Sequence, residues 1–166
     1  MITLPEIKHS LDLTEDQRMI RDLVKDFAVS EVAPKAHEVD EHHRFDQDTW
    51  KRIVELGLPG IPFDESLGGS GGGTLAYILA VEELAKVCGS TALTFNMHNA
   101  TMLWAGEVAD LLDLDDAARA THERRRTELF RGVVEDGTIH SQPFSEGVSA
   151  GALSGVTTKA EPCEGG

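Results

Sequence analysis

The chain has 166 residues, 40 % apolar and 27 % charged, which suits one ordinary domain with its own core. Its 29 acidic residues against 15 basic ones leave a formal net charge of −14, a balance that argues against nucleic acid as a partner and against docking on anionic membranes. The two cysteines, Cys88 and Cys163, show neither metal-ligand spacing nor a disulfide framework, as expected of unpaired thiols in a reducing cytoplasm, and neither a signal peptide nor an apolar run of membrane-spanning length is seen.

Residues 1–12 read as a leader. Thr14-Glu15-Asp16-Gln17 then forms a capping box, in which each end residue satisfies a free backbone N–H of the other. Ile20, Leu23, Val24, Phe27 and Ala28 follow at helical spacing, and Pro34 is expected to stop that helix, because the residue before a proline avoids helical angles. The stretch from Glu38 to Arg44 is polar. His37, His42 and His43 lie in or beside it, but a solvated connection is the expectation over a metal site, since no second set of ligands accompanies them.

A second helix carries Trp50, Ile53 and Val54 and ends at Gly57 before Pro59. Residues 59–73 form a long glycine-rich turn, read as a flexible connection. The helix from Thr74 is apolar nearly all round and is therefore expected to be buried, with Cys88 acting as a small hydrophobe. Gly89 and Ser90 mark the next boundary. The helix over 91–105 interleaves Leu93, Phe95, Met97, Met102, Leu103 and Trp104 with Thr94, Asn96, His98, Asn99 and Thr101. That mixture suits either a core helix or the wall of a largely apolar pocket with a few placed polar groups. Residues 113–130 read as a charged helix whose Arg124, Arg125 and Arg126 do not share one face, so a solvated surface is expected rather than an anion site. After Gly132, Val133-Val134, residues 139–144 and residues 156–160 favour strands. The last of these runs into the turn-like 161–166 with no strand after it, an open sheet edge from which the chain is expected to be a fragment.

Two accidental motifs are set aside. Residues 68–72 match G-x-S-x-G, but a nucleophile elbow needs a strand before it, and helices are expected on both sides. No Gly-Lys-Ser/Thr follows, so the run is not a P-loop. His98 could serve acid–base chemistry near neutral pH, but it has no sequence-local partner. The segment 141–151 joins a strand end to hydroxyls, an acid and small residues, and such an exit can present N–H groups to a phosphate or a flavin edge.

Taken in order, several pieces resemble the acyl-CoA dehydrogenase family: Leu13-Thr14-Glu15-Asp16-Gln17, Glu31-Val32-Ala33-Pro34, Leu56-Gly57-Leu58-Pro59-Gly60-Ile61, Gly68-Gly69, Val81-Glu82-Glu83-Leu84-Ala85 and His98-Asn99. The resemblance implies a mainly α chain: a helical-bundle amino-terminal domain over 1–131 and, over 132–166, the first strands of a truncated β-barrel domain. It implies FAD, which takes a hydride from the β-carbon of an acyl-CoA while a glutamate removes the α-proton. It further implies a homo-oligomer that often passes electrons to an electron-transferring flavoprotein. Where the family reads aromatic-Ala-Leu-Thr-Glu-Pro-Gly-Ala-Gly-Ser-Asp, this chain has Gln142 at the aromatic position and Phe144 at the aliphatic one. Ser145 stands at the flavin-contacting Thr, and Gly151 at the Ser that bridges cofactor and substrate. Gly147 replaces the proline. Cofactor contacts are thus expected at Gln142, Phe144, Ser145 and Gly151, and substrate contacts at Leu93, Thr94, Met97 and Gly151.

The family's catalytic glutamate belongs to its carboxy-terminal domain. No catalytic residue is therefore expected in this chain, which alone should be inactive. The altered 142–151 segment keeps open a flavin-dependent monooxygenase of the same fold, and a non-catalytic helical interaction module is the third reading.

Overall fold

The computed structural model describes residues 12–141, 157–159 and 161, and the side chains of all these except 106–111. The capping box forms as the sequence requires: Gln17 N–H donates to Thr14 Oγ1 at 3.2 Å and Thr14 N–H to Gln17 Oε1 at 3.0 Å. Helix α1 (Glu15–Phe27) follows and buries Val24 and Phe27, while Leu23 stays exposed.

Pro34 does not stop the helix. The backbone widens into a π-helical turn (Ala28–Val32) and continues as α2 (Ala33–Glu41), with Pro34 in its first turn. A proline is tolerated there because a first-turn N–H is one that a new helix leaves free. The wider turn shifts the register, so that Ala33 N–H reaches the Ala28 carbonyl, and Ser30 Oγ donates back to the Asp26 carbonyl at 2.6 Å.

The chain turns at His42 and His43, and Asp46 then caps α3 (Gln47–Glu55), accepting from the N–H groups of Asp48 and Thr49 and from Thr49 Oγ1. Trp50 and Ile53 face the core and Val54 is half-buried. Gly57 ends the helix in a left-handed conformation.

The glycine-rich connection is a built turn, not a loose one. Two short 3₁₀ turns, Leu58–Gly60 and Glu65–Leu67, are tied by Ser70 N–H to Gly60 O at 3.0 Å and Gly71 N–H to Phe63 O at 2.8 Å. Among the described residues no strand precedes Ser70, so the elbow geometry does not arise.

Helix α4 (Gly73–Ala85) buries Ala76, Tyr77, Ala80 and Leu84, but Leu75 and Ile78 are 49 % and 46 % exposed. An apolar circumference thus does not make a fully buried helix here: α1 and α5 cover only part of it. Helix α5 (Gly89–Leu111) runs six residues past the expected end. Helix α6 (Asp116–Asp136), capped by Asp115, runs through the expected domain boundary at 131/132. Val133 and Val134 are therefore helical, not strand. Phe130 and Val133 lie one turn apart and are buried together, and Gly137, at φ 68°, is the true stop.

The described residues contain no strand: 137–141 and 157–159 are irregular, and the rest of the expected β-segments lies outside the described residues. α1 packs on α4, α4 on α5 and α5 on α6. The main core joins Val24, Phe27, Trp50, Ile53, Tyr77, Leu84 and Phe95. A smaller one joins Phe63, Met102, Phe130 and Val133, with the rings of Phe63 and Phe130 edge to face at 4.6 Å.

Candidate functional site

Helix α5 carries the polar residues that the sequence singles out, and two of them, His98 and Asn99, lie on its buried side. One side, Ala92, Phe95, His98, Asn99 and Met102, is buried. The other side, Leu93, Met97, Ala100 and Trp104, repeats every three to four residues and is only half-buried or exposed, with Leu93 at 59 % and Trp104 at 53 %. An apolar row exposed along a long helix is the kind of surface that a ligand or a further body covers, although Leu75 and Ile78 of α4 are exposed as well. Leu93 and Met97, two of the expected substrate residues, share this row. Thr94 sits at its edge and lines a cavity of about 210 Å³ with Arg44, Asp46, Thr49 and Trp50, and its hydroxyl donates to the Ser90 carbonyl.

The buried side is held by long-range bonds. Tyr77 Oη donates to Asn96 Oδ1 at 2.6 Å and ties α4 to α5; burial pushes its phenol up to about 12. Asn99 Nδ2 donates to Phe95 O within the helix. His98, which lacks a local partner in sequence, finds a distant one: its Nδ1 accepts the backbone N–H of His140 at 3.0 Å. Its ring meets Trp50 edge-on at 5.2 Å and stacks over His140 at 6.0 Å. Burial, and then the charge of His140, hold its pKa down to about 4, so the ring is neutral at pH 7. Trp50 Nε1 donates to Gly137 O at 2.9 Å. No sequence signal pairs His98 with His140 or Trp50 with Gly137, because each pair is joined only through the tertiary fold.

Three buried polar atoms here, His98 Nε2, Asn99 Oδ1 and His140 Nε2, have no hydrogen-bond partner among the described residues, an uncommon state for buried groups. At the start of α5, Cys88 O accepts Ala92 N–H, and Thr91 Oγ1 and Ser90 Oγ lie 3.2 and 3.3 Å from its thiol. Burial pushes the thiol up, but these hydroxyls and the adjacent N–H groups outweigh it and leave the pKa below the ordinary value. No cluster of three or more His, Cys, Asp or Glu suited to a metal ion exists among the described residues; His42 Nδ1 instead contacts the Glu38 carbonyl. Nor is any described helix long and apolar enough to cross a membrane. The expected cofactor residues Gln142, Phe144, Ser145 and Gly151 lie outside the described residues.

Residues 14–107 match the family model of the acyl-CoA dehydrogenase amino-terminal domain. A probable acyl-CoA dehydrogenase of Bacillus subtilis, YngJ, is 54 % identical over 86 residues, 52 % of this chain and 23 % of the relative. The short-chain specific acyl-CoA dehydrogenase of Clostridium acetobutylicum is 46 % identical over 87 residues, 52 % of this chain and 23 % of that protein. Among solved structures, butyryl-CoA dehydrogenase from Megasphaera elsdenii superposes with a TM-score of 0.58 at 31 % identity, over 74 % of this chain and 31 % of that one. A chain solved in work on the electron transferring flavoprotein of Acidaminococcus fermentans gives 0.62 at 32 %, over 78 % and 31 %. The chain thus spans about a quarter of the curated relatives it matches.

Proposed function

The chain belongs to the acyl-CoA dehydrogenase family through its amino-terminal domain, and from that membership we propose that it is part of an FAD-dependent enzyme that introduces an α,β double bond into an acyl-CoA thioester. The open row of Leu93, Met97 and Trp104 on α5 carries the reading, because it supplies an apolar wall for an acyl chain. Thr94 edges that wall. Residues 142–151 form the flavin-facing segment, with Gln142, Phe144 and Ser145 against the cofactor and the Gly151 backbone between cofactor and substrate.

The described residues supply the acyl wall and the approach to the segment that would face the flavin. The wall is apolar and accessible, and the backbone at His140 is anchored two residues before Gln142. Bound FAD would accept the hydride from the β-carbon. The chain's own residues bind and orient; none is assigned the α-proton, which falls to a glutamate in another domain of the parent enzyme. The same reading makes that parent a cytoplasmic homo-oligomer that hands electrons to an electron-transferring flavoprotein.

A second reading, a flavin-dependent monooxygenase of the same fold, is favoured by one observation: Gly151 offers no hydroxyl where the family has a serine. Anaerobic titration of the flavin-loaded parent protein separates the two. Bleaching by an acyl-CoA, and not by free aromatic compounds, is expected; an unbleached flavin in the presence of acyl-CoA thioesters of every chain length tried would sink the dehydrogenase reading. The visible spectrum of the 166-residue chain mixed with FAD tests whether this part holds the cofactor by itself.

A further inference from the structure

We infer that His98 is a positioning residue that fixes the connection 137–141 against helix α5. What that connection then presents, the segment beginning at Gln142, rests on the function proposed above. His98 is 1 % exposed and accepts the His140 N–H at 3.0 Å, a contact between residues 42 apart. An accepting Nδ1 puts the ring proton on Nε2 and sets the ring plane. Trp50 adds a second pin three residues upstream: its indole N–H holds the Gly137 carbonyl at 2.9 Å, and its ring buttresses His98 edge-on.

Two pins on a short connection leave its backbone little freedom. Both originate on elements, α3 and α5, whose places are fixed by the main core. The side chain at 98 is therefore used for its acceptor and its rigid plane, in a ring kept neutral and so able to accept. Among the described residues Asn99, next in sequence, makes no such bond: its amide N–H goes back to the Phe95 carbonyl of its own helix.

The test uses the whole chain with two substitutions. His98→Leu keeps an apolar body but has no acceptor, and His98→Asn places an amide oxygen near the position of Nδ1. The readouts are hydrogen exchange at the His140 amide, the affinity for added FAD and, in the unsubstituted chain, the imidazole nitrogen shifts that report which nitrogen bears the proton. His98→Leu is expected to speed exchange at His140 about tenfold, the worth of one ordinary hydrogen bond, and to weaken FAD binding, with His98→Asn restoring both. Unchanged His140 exchange in His98→Leu would overturn the inference, and so would a proton found on Nδ1 of the unsubstituted ring. The latter readout stands even if His98→Leu does not fold. If the unsubstituted chain takes up no FAD while His140 exchange responds as stated, the pin stands, and the flavin reading is decided by the titration of the parent protein.

Discussion

A Cβ built on Gly69 would lie 2.2 Å from the Phe63 carbonyl oxygen and 2.5 Å from its carbon, so alanine there must push backbone away from backbone. Gly69→Ala should cost roughly 2 kcal/mol or more, within the range of overpacking. Gly89→Ala, with nothing within 4 Å, should instead gain about 0.5 kcal/mol by restricting the unfolded chain. Urea melts of both variants check the pair, and equal effects would refute the close approach. His98 gives a prediction in pH. Its folded pKa is about 4 and its ordinary value 6.5, so the unfolded chain binds the extra proton between them. Stability is then fully present above pH 6.5 and declines as pH falls toward 4. Between pH 6.5 and 5 the loss from His98 should be about 1.6 kcal/mol, with His140, also lowered by burial, adding to it, before the carboxylates with lowered values, Asp46 and Asp64 among them, begin to protonate. Urea unfolding at these two pH values, with His98→Asn flattening the slope, is the measurement. None of this was legible in the sequence, where His98 is one polar residue in an apolar helix and its partner lies 42 positions away.

Helix ends were the more readable feature. The Thr14–Gln17 box and the Gly57 stop form where their chemistry places them, because both act within one turn of chain. Pro34 and Val133-Val134 misled for the opposite reason. A π-helical turn absorbs the proline, and burial of Val133 with Phe63 and Phe130 overrides the strand preference of the valine pair, so in both cases packing outweighs local propensity. The Asp46 cap of α3 is a testable member of this class. Its carboxylate is drawn two ways: burial raises its pKa, and the hydroxyl and N–H of Thr49 more than offset that, leaving it lowered. Asp46→Ala should cost about 1–2 kcal/mol, because Thr49, itself buried, loses its hydroxyl acceptor along with the cap. Asp46→Asn, which keeps an acceptor, should lose less than half of that. Thermal melts of the two variants decide it, and a neutral Asp46→Ala would show that the cap contributes nothing.

Across the whole chain the helical bundle was legible from periodicity, but the open face of α5 was not. Spacing shows which residues are apolar; it does not show which neighbour covers them, and Leu75 and Ile78 look like core until the bundle leaves them exposed, while spacing left the helix of Leu93 and Trp104 open between core and pocket wall. Charge is the molecular property that sequence states directly, and it sets the last prediction. The ion pairs that the fold builds, Arg52 with Glu31 and Glu55, Lys86 with Glu82, and Arg44 with Glu38, have largely solvated side chains and each contributes little. Against them stands a net charge of −14 on 166 residues, whose mutual repulsion acts over the whole surface. Added salt shortens the reach of that repulsion from about 30 Å at 0.01 M to about 10 Å at 0.1 M. Repulsion is expected to outweigh the pairs, so the melting temperature should rise by a few degrees as sodium chloride is raised from about 0.01 to 0.3 M, most of it by 0.1 M where screening changes fastest. A melting temperature that falls with salt would mean that the surface pairs stabilise more than the excess carboxylates destabilise. Replacing Arg52 by Met would then locate the effect, since that side chain bridges two carboxylates from different helices.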